Sequence, residues 1–317
     1  MKFTIIPADT YIWNISDLNK FLVTHQAQDI SITTNLEGCC CRSIGLYKIL
    51  DQFNFKSVTI HSPNPLEKHE KYNVKLRLPF EFLKVKQQIE PTFHTWDETK
   101  IFGTIYGRPL WHRIGIVAHL LTYHNEKSLI GCLSDPGDID KRELFETNEL
   151  FKHDPRSFQN FGNILNQLPK QLANVDDYTP GQSVTDGYVT QTKRIYKHFL
   201  IDIVAETFTS GDCFFVTEKT VRPILLKKPF IVMGSKDYLC YLRQLGFRTF
   251  HDFWDEDYDG YEGQERYLRI LQLVDNLSCK SISELNDMYY SMQHTLDHNY
   301  NLLQTQSYDI NNIEKII

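Results

Sequence analysis

The chain has 317 residues, of which 41% are hydrophobic and 13% aromatic, and its formal net charge is -6. A chain of this length and apolar content can fill the cores of two ordinary domains, which excludes an intrinsically disordered protein. The negative net charge provides no general attraction to nucleic acid or to an anionic membrane.

Cysteine usage and hydropathy indicate a protein of the cytoplasm with no membrane partner. The chain has 7 cysteines, an odd number without a repeated spacing, so reduced thiols are expected rather than a disulfide framework. No run of about 18 apolar residues occurs. The N-terminal sequence MKFTIIPADTYIWN also lacks the apolar stretch of a secretory signal peptide.

The first half alternates between short β-rich runs and helical patterns. Strands are predicted at 2–6, 29–34 and 56–61, with a helix at 43–53. A helix between two strands predicts a βαβ unit, in which the strands are parallel. A second unit follows, with a strand at 101–106, a helix at 111–121 and a strand at 128–133.

The second half repeats this alternation after a polar segment. Residues 139–174 are helical and charged in pattern, and 174–192 have the Pro, Gly, Asp and Ser content of a linker. Strands are then predicted at 199–208, 229–234 and 247–250, and helices at 217–227 and 235–246. We therefore predict an α/β protein of two Rossmann-like domains facing each other across a cleft. The predicted domains are 1–175 and 176–317, the second ending in helices.

Polar residues cluster where the strand at 199–208 gives way to the next helix. They are, in chain order, Glu206, Thr209, Ser210, Gly211, Thr217, Glu218, Lys219 and Arg222. Parallel sheets bind ligands at the carboxyl ends of their strands, beside helix N-termini. A carboxylate there can accept both hydroxyls of a ribose, while cationic groups hold a diphosphate. The same pattern is also typical of an acidic first helical turn, with Glu218 and Arg222 as an ordinary i, i+4 pair.

This segment resembles the donor-binding motif of the α1,3-fucosyltransferase family. That motif has a strand ending in F-E-N, then [VI]-T-E-K-x-W-x-N-A-L, then a P-[VI]-V-x-G strand. The matching text here is V-A-E-T, V-T-E-K-T-V-R-P-I-L and K-P-F-I-V-M-G, and F-R-T-F-H-D-F-W-D-E-D resembles the family's F-I-x-x-x-D-F ending. The resemblance covers residues 196–255, with Thr207 and Val221 standing where the family has asparagine and tryptophan.

The resemblance implies roles for four of these residues and a reaction. Glu206, Glu218 and Lys219 fall on nucleotide-contacting positions, and Arg222 falls on a basic position that some members share. It also implies a GT-B fold, with a GDP- or UDP-linked sugar donor held by the C-terminal domain. The acceptor, a glycan or small molecule, would be held by the N-terminal domain. Transfer would invert the anomeric centre, and no cofactor or metal would be obligatory.

Two alternatives remain open from the sequence. Similar T-E-K-x-x-R-P text occurs in proteins of tailed bacteriophages, which adds a DNA glycosyltransferase acting on a hydroxymethylated base, in the host cytoplasm. Such an enzyme needs a basic groove and base flipping. The other alternative is a non-catalytic nucleotide-binding module. D-x-D strings at 138–140 and 255–257 lie in acidic, surface-like text, and we predict no metal site from them.

An inverting transfer needs a base for the acceptor hydroxyl and cationic groups for the departing diphosphate. Glu37 follows the strand at 29–34, next to a glycine, and is the first candidate base, although it also fits a plain loop acid. Asp97 is the second candidate. His94 or His112 is the third, although a histidine in such a position more often serves packing or hydrogen bonding.

The segment IYGRPLWHRIGIVAHLL is similar to the family's strand followed by an A-R-x-x-Y-x-x-x-L helix, and Arg113 falls on the matching arginine. Arg108 and Arg113 are predicted to reach a phosphate or the acceptor. An exposed salt bridge is the alternative for Arg113, and such a bridge contributes little stability. Trp111 and Tyr106 can stack on a sugar or base, but single aromatics in α/β domains usually belong to the core.

Three consecutive cysteines, Cys39, Cys40 and Cys41, precede the first predicted helix. Consecutive side chains diverge, so the three thiols cannot present one tetrahedral face to zinc, and a vicinal disulfide would be strained. We predict that they pack in the turn between strand and helix.

Overall fold

Two parallel β-sheets of 4 strands each form the framework of the protein. The structure, a computed structural model, describes residues 1–5, 14–34, 40–77, 96–107, 109–132 and 195–306. The predicted charged helical segment and linker, at 139–192, lie outside the described residues.

The first sheet has the strand order β1-β2-β3-β4. Its strands are β1 (Lys2–Ile5), β2 (Asp29–Thr34), β3 (Ser57–Ser62) and β4 (Asn73–Leu76), and its helices are α1 (Ile15–Thr24) and α2 (Leu46–Leu50). Every second residue of β2 and β3 is buried, as in a strand whose one face packs on the core. Side chains of α1 and α2 belong to the same apolar cluster as these strands.

The second sheet has the order β6-β5-β7-β8, and all its strands are parallel. Its strands are β5 (Lys100–Tyr106), β6 (Ser128–Cys132), β7 (Phe199–Ala205) and β8 (Phe230–Met233), joined by α3 (Trp111–Tyr123) and α4 (Glu218–Leu225). Every residue of β7, and every residue of β5 after the first, is buried. Central strands covered on both faces have this continuous burial.

Strand pairing does not follow the predicted domain boundary between 175 and 176. β5 pairs directly with β7, so strands from both sides of that boundary share one sheet. The change of sheet comes between β4 and β5 instead. The physical reason is burial. Both faces of β5 and of β7 are apolar, so each strand is most stable at the centre of a sheet, and pairing them places both there.

Helices complete the C-terminal part, as predicted. They are α5 (Tyr238–Gln244), α6 (Gly263–Ser278), α7 (Ile282–Ser291) and α8 (Gln293–Thr305). The prediction of a strand at 247–250 is wrong. The main-chain groups of Arg248 that would pair with a neighbouring strand are bound by the Asn299 side chain of α8 instead, which accepts from Arg248 N at 2.7 Å and donates to Arg248 O at 2.8 Å. None of the helices in the described ranges is long and apolar enough to cross a bilayer.

The carboxyl-end connections of the two sheets contact each other. Asn64, in the connection after β3, donates from Nδ2 to the Asp212 carbonyl at 2.7 Å and accepts at Oδ1 from the Phe214 amide at 3.1 Å. A methyl group on Gly211 would lie 2.6 Å from Ser43 Oγ, which shows how closely the loop after β7 approaches the segment before α2. The prediction of an α/β protein with two facing Rossmann-like units is therefore confirmed.

Candidate active site

The second sheet changes its direction of winding at the carboxyl ends of β5 and β7. From β5 the chain passes through α3 to β6 on one side, and from β7 it passes through α4 to β8 on the other. Because parallel crossovers are right-handed, α3 and α4 lie on opposite faces of the sheet. Their diverging connections leave a switch-point crevice, formed by 107 and 109–113 after β5 and by 206–219 after β7. Open α/β sheets bind their ligands at such a crevice.

Glu206, the residue after β7, is buried beneath this crevice with 2% of its surface exposed. Its Oε1 accepts from Thr220 Oγ1 at 2.7 Å, Tyr238 OH at 3.0 Å and Thr217 N at 3.4 Å, and its Oε2 accepts from Thr217 Oγ1 at 2.6 Å. Burial raises the pKa of Glu206 above its ordinary value, although the Lys219 charge and the hydroxyl donors act in the opposite direction. Both carboxylate oxygens are therefore already bound by the protein itself.

Thr217 connects Glu206 to the start of α4. It is the N-cap of that helix, and its Oγ1 accepts from the Lys219 amide at 3.1 Å while donating to Glu206. An N-cap threonine satisfies one of the free N–H groups of the first turn and fixes where the helix begins. Glu206 thus determines, through Thr217, the position of the first turn of α4.

Glu218 and Lys219 form the first turn of α4 and make an ion pair of 2.8 Å, with 22% and 14% of their side chains exposed. Burial alone would raise the pKa of Glu218, but the attraction and hydrogen bond of Lys219 more than offset it and hold the pKa below its ordinary value. Glu218 is consequently ionised at neutral pH. A carboxylate and an ammonium group therefore stand together at a helix N-terminus beside the crevice.

Arg222, also predicted to contact the donor, lies beneath this charged group. It is 3% exposed and turned toward the sheet, where its Nε donates to Tyr196 OH at 2.5 Å and its Nη2 lies 3.5 Å from Asp202 Oδ2 in β7. Tyr196 OH also donates to that same carboxylate oxygen. Arg222 thus makes a buried salt bridge with Asp202.

Arg113 and His112, in the first turn of α3, form hydrogen bonds to the main chain at the end of β7. Arg113 is buried and donates from Nη2 to the Ala205 carbonyl at 2.9 Å. His112 Nε2 lies 2.9 Å from the Glu206 carbonyl and so donates to it. Burial and the Arg113 charge lower the pKa of His112 to about 3, which makes it a poor base at neutral pH. The burial of Arg113 excludes the alternative of an exposed salt bridge for this residue.

The loop predicted to bind the donor lies between the crevice and the start of α6. Thr209 is buried, Ser210 is exposed, and Gly211 has a φ of 82°, a conformation that favours glycine. The Thr209 carbonyl accepts from Gly263 N at 3.0 Å, and Gly211 N donates to Glu262 Oε2 at 3.0 Å. The loop is thus held by α6 on one side and by the first sheet on the other.

Asp97 is not at the crevice. It precedes β5 and therefore lies at the amino end of the sheet, about 20 Å from the carboxyl end of that strand. There it accepts from Thr99 Oγ1 at 2.6 Å and pairs with His198 Nδ1 at 2.5 Å. Asp97 is thus separated from the crevice by the length of β5. The other candidates, Glu37, His94 and Arg108, lie outside the described residues.

The aromatic candidates belong to the protein interior. Tyr106 is buried and its hydroxyl donates to the Ile203 carbonyl at 2.8 Å. Trp111 is half-buried, with its ring 5.3 Å from that of His112 and 5.9 Å from that of Tyr267 in α6. The cysteine run is packing where it is described, since Cys40 and Cys41 are buried and Cys41 belongs to the first core.

Sequence reasoning missed several residues that build the site. Tyr238 and Thr220 supply two of the donors to Glu206, and Asn64 fixes the loop after β7. Thr220 had a readable signal, because it lies one turn beyond the N-cap Thr217 and so on the same side of the helix. Tyr238 and Asn64 had none, since their contacts join segments far apart in the chain.

Comparison with known proteins found no matching family model and no matching curated protein. Among solved structures, the chain is similar to the crystal structure of a glycosyltransferase from Rickettsia africae ESF-5. The identity is 10% and the TM-score 0.37, over 96% of this chain and 80% of that chain.

Proposed function

We propose that this protein is a glycosyltransferase of GT-B type, which binds a nucleotide-diphosphate sugar in the switch-point crevice. The sugar is transferred to a hydroxyl of a glycan or small molecule with inversion at the anomeric carbon. The observation that carries the proposal is the Glu218–Lys219 pair, partly exposed in the first turn of α4 beside this crevice. The resemblance to the donor-binding motif of α1,3-fucosyltransferases falls on these same residues.

A diphosphate fits the cationic side of this arrangement. The first turn of α4 carries the positive end of the helix dipole, and Lys219, whose own amide is capped by Thr217, adds an ammonium group at the same place. Charge-assisted hydrogen bonds from such donors are strongest where water is partly excluded, as the 14% exposure of Lys219 indicates. The same donors stabilise the diphosphate when it departs in the transfer step.

A ribose fits the anionic side. Glu218 is ionised and has free acceptor capacity beyond its bond with Lys219, so it can accept from ribose hydroxyls. Glu206 supports this contact from beneath, because it fixes the N-cap Thr217 and hence the first turn. Its proposed role is therefore to position the nucleotide-binding turn, with direct ribose contact requiring exchange of the bonds it already makes.

The facing unit supplies the acceptor side in this proposal. The described residues on either side of Glu37 lie at the facing edge, since Thr34 ends β2 and Cys40 lies near Gly211. We propose Glu37 as the base that takes the proton of the acceptor hydroxyl as oxygen attacks the anomeric carbon and the diphosphate leaves.

Nucleotide-sugar binding tests the donor site. A thermal-shift panel of GDP-, UDP-, CMP- and dTDP-sugars is expected to find one nucleotide that raises the melting temperature. A ligand at 100 times its Kd stabilises a protein by about 2.7 kcal/mol. Lys219→Ala and Glu218→Ala should abolish that shift. Matched controls are Asp17→Ala and Lys20→Ala, which break an exposed acid–lysine pair in the first turns of α1 and should leave the shift unchanged.

The outcomes separate the alternatives. A panel without any shift, or a shift retained in Lys219→Ala, would contradict nucleotide binding at this crevice. A shift that depends on Lys219, together with no turnover on hydroxyl acceptors and no slow donor hydrolysis, would identify a non-catalytic binding module.

The Glu37→Gln variant tests the proposed base. We expect it to keep the parent's donor-dependent thermal shift and to lose transfer by at least about 100-fold, the lower end of what general-base catalysis contributes. The readout is release of nucleoside diphosphate with and without acceptor. An Asp97→Asn control should transfer at close to the parent's rate, because Asp97 lies at the opposite edge of the sheet. Parent-like transfer by Glu37→Gln would remove Glu37 from the mechanism.

A further inference from the structure

We propose that His119, His124 and Asp275 form a binding site for a divalent transition-metal ion, with Zn²⁺ as the ion of best fit. The three residues lie where the C-terminal end of α3 meets the C-terminal part of α6. The proposal concerns metal binding alone and stands independently of the proposed activity.

The donor atoms already converge. His119 Nε2 and His124 Nε2 lie 2.8 and 2.6 Å from the same oxygen, Asp275 Oδ1. All three ligand atoms lie within 4.8 Å of one another. Ligand atoms around a tetrahedral zinc ion are about 3.3 Å apart, given bonds of about 2.0–2.1 Å. An ion therefore needs the carboxylate oxygen to move away from each nitrogen by about 0.5–0.7 Å and the two nitrogens to approach each other by up to about 1.5 Å, within the reach of side-chain adjustment.

The chemistry of the set selects the class of ion. Imidazole nitrogen suits Zn²⁺ and its neighbours among the transition metals, whereas Mg²⁺ and Ca²⁺ prefer sites made only of oxygen. The two imidazoles are held in place by burial, with 8% and 10% of their side chains exposed, while Asp275 is 50% exposed. The carboxylate side is thus the entry path, and it leaves room for water as a further ligand.

Proton positions allow an ion to replace the present hydrogen bonds. Each imidazole now donates from Nε2 to the carboxylate, and a metal needs the Nε2 lone pair instead, so the proton must move to Nδ1 or leave. In the described part of the chain, His119 Nδ1 is buried and makes no hydrogen bond. The change of tautomer at His119 therefore disrupts no bond except the one to Asp275, which the ion replaces.

The position of the site indicates what the ion does. The α3 and α6 helices run side by side, because Trp111 contacts Tyr267 near their starts and His119 contacts Asp275 near their ends. The start of α3 carries His112 against Glu206, and the start of α6 binds the loop at Thr209 and Gly211. An ion at the far ends would join the two helices that border the crevice, about 10–18 Å from it along α3.

The test is a zinc titration of the full chain after treatment with a chelator. We expect about one equivalent of Zn²⁺ to bind and to raise the melting temperature, and Co²⁺ to give a visible ligand-field band at the same stoichiometry. His124→Gln and Asp275→Asn should each weaken binding about tenfold or more, the scale seen even for residues that only support a ligand. His251→Gln is the matched control, since His251 is an exposed histidine beside a carboxylate without a third ligand at hand in the described residues.

Far-UV circular dichroism without metal establishes that each variant is folded. If His124→Gln does not fold, Asp275→Asn still tests the site, because the Asp275 side chain is half exposed and its replacement does not disturb the core. Absence of stoichiometric binding by the parent would overturn the proposal. Equal affinity of the parent and both ligand variants would overturn it as well, since the zinc would then be bound elsewhere.

Discussion

Replacing Asp202 by alanine is expected to lower the free energy of unfolding by about 3–5 kcal/mol, because the variant retains the buried Arg222 cation but loses the carboxylate that it pairs with. Asp202 lies in the central strand β7 with no exposed surface, and its partner Arg222 is 3% exposed. The guanidinium lies 3.5 Å from Asp202 Oδ2 and also binds Tyr196, whose hydroxyl donates to that oxygen. Urea denaturation followed by circular dichroism measures the loss.

A double variant distinguishes charge imbalance from simple loss of packing. Asp202→Leu combined with Arg222→Met removes both charges and should recover most of the stability lost by either single change, as for other buried pairs replaced by apolar groups. Asp29→Ala is the control, because its ion pair with Lys56 is exposed and screened by solvent, so little change is expected. Additive losses in the double variant, or a near-neutral Asp202→Ala, would contradict a coupled buried pair.

Strand positions were largely predictable because each strand carries its burial pattern in its residues. The prediction for β2 matches its observed bounds, since alternating Ile and Ser or Thr describes a strand with one covered face. β4 has no such pattern, and the helix predicted at 43–53 is confined to Leu46–Leu50. Which strands share a sheet was not predictable, because β5 and β7 are paired by packing across a long intervening segment.

The place of the site was predictable, whereas the direction of its charged side chains was not. Glu206, Thr217 and Glu218 were expected at a strand end and a helix start, and they are there. A helical pattern shows which residues share a face but not which face meets the sheet, and Arg222 turned out to be on the buried one. The position of Asp97, by contrast, could have been predicted from the sequence. A residue just before a parallel strand lies at the amino end of the sheet, whereas ligands bind at the carboxyl end.

Tertiary contacts account for the remaining gaps. His119 and His124 are 5 residues apart, which is not a helical metal-ligand spacing, and only the packing of α3 on α6 brings Asp275 between them. Similarly, the four hydrogen bonds that the Glu206 carboxylate accepts come from a helix cap, a helix interior and a tyrosine of α5. Networks of this kind are specified by the fold as a whole.

Glu206→Gln is expected to weaken nucleotide binding and to lower the free energy of unfolding by about 1–3 kcal/mol. One acceptor oxygen becomes an NH₂ donor, which must then face Thr217, Thr220 or Tyr238. The amide oxygen can stay at the Oε1 position, where the Thr217 amide can only donate. The NH₂ group then takes the Oε2 position and faces Thr217 Oγ1, which already accepts from the Lys219 amide and ammonium groups and cannot accept from a third donor. The N-cap of α4 is therefore displaced, and with it the Glu218–Lys219 turn proposed to bind the nucleotide.

Two further variants determine whether Glu206 positions this turn or contacts the nucleotide itself. Thr220→Val and Tyr238→Phe each remove one hydroxyl donor to Glu206 without altering any proposed ligand-binding group. If Glu206 acts by positioning, both should weaken nucleotide binding by several-fold, up to about tenfold for the loss of one hydrogen bond of about 1.4 kcal/mol. Parent-like affinity in both variants, with binding abolished in a folded Glu206→Gln, would instead make Glu206 a direct ligand, since only a contact made by its own carboxylate would then be missing.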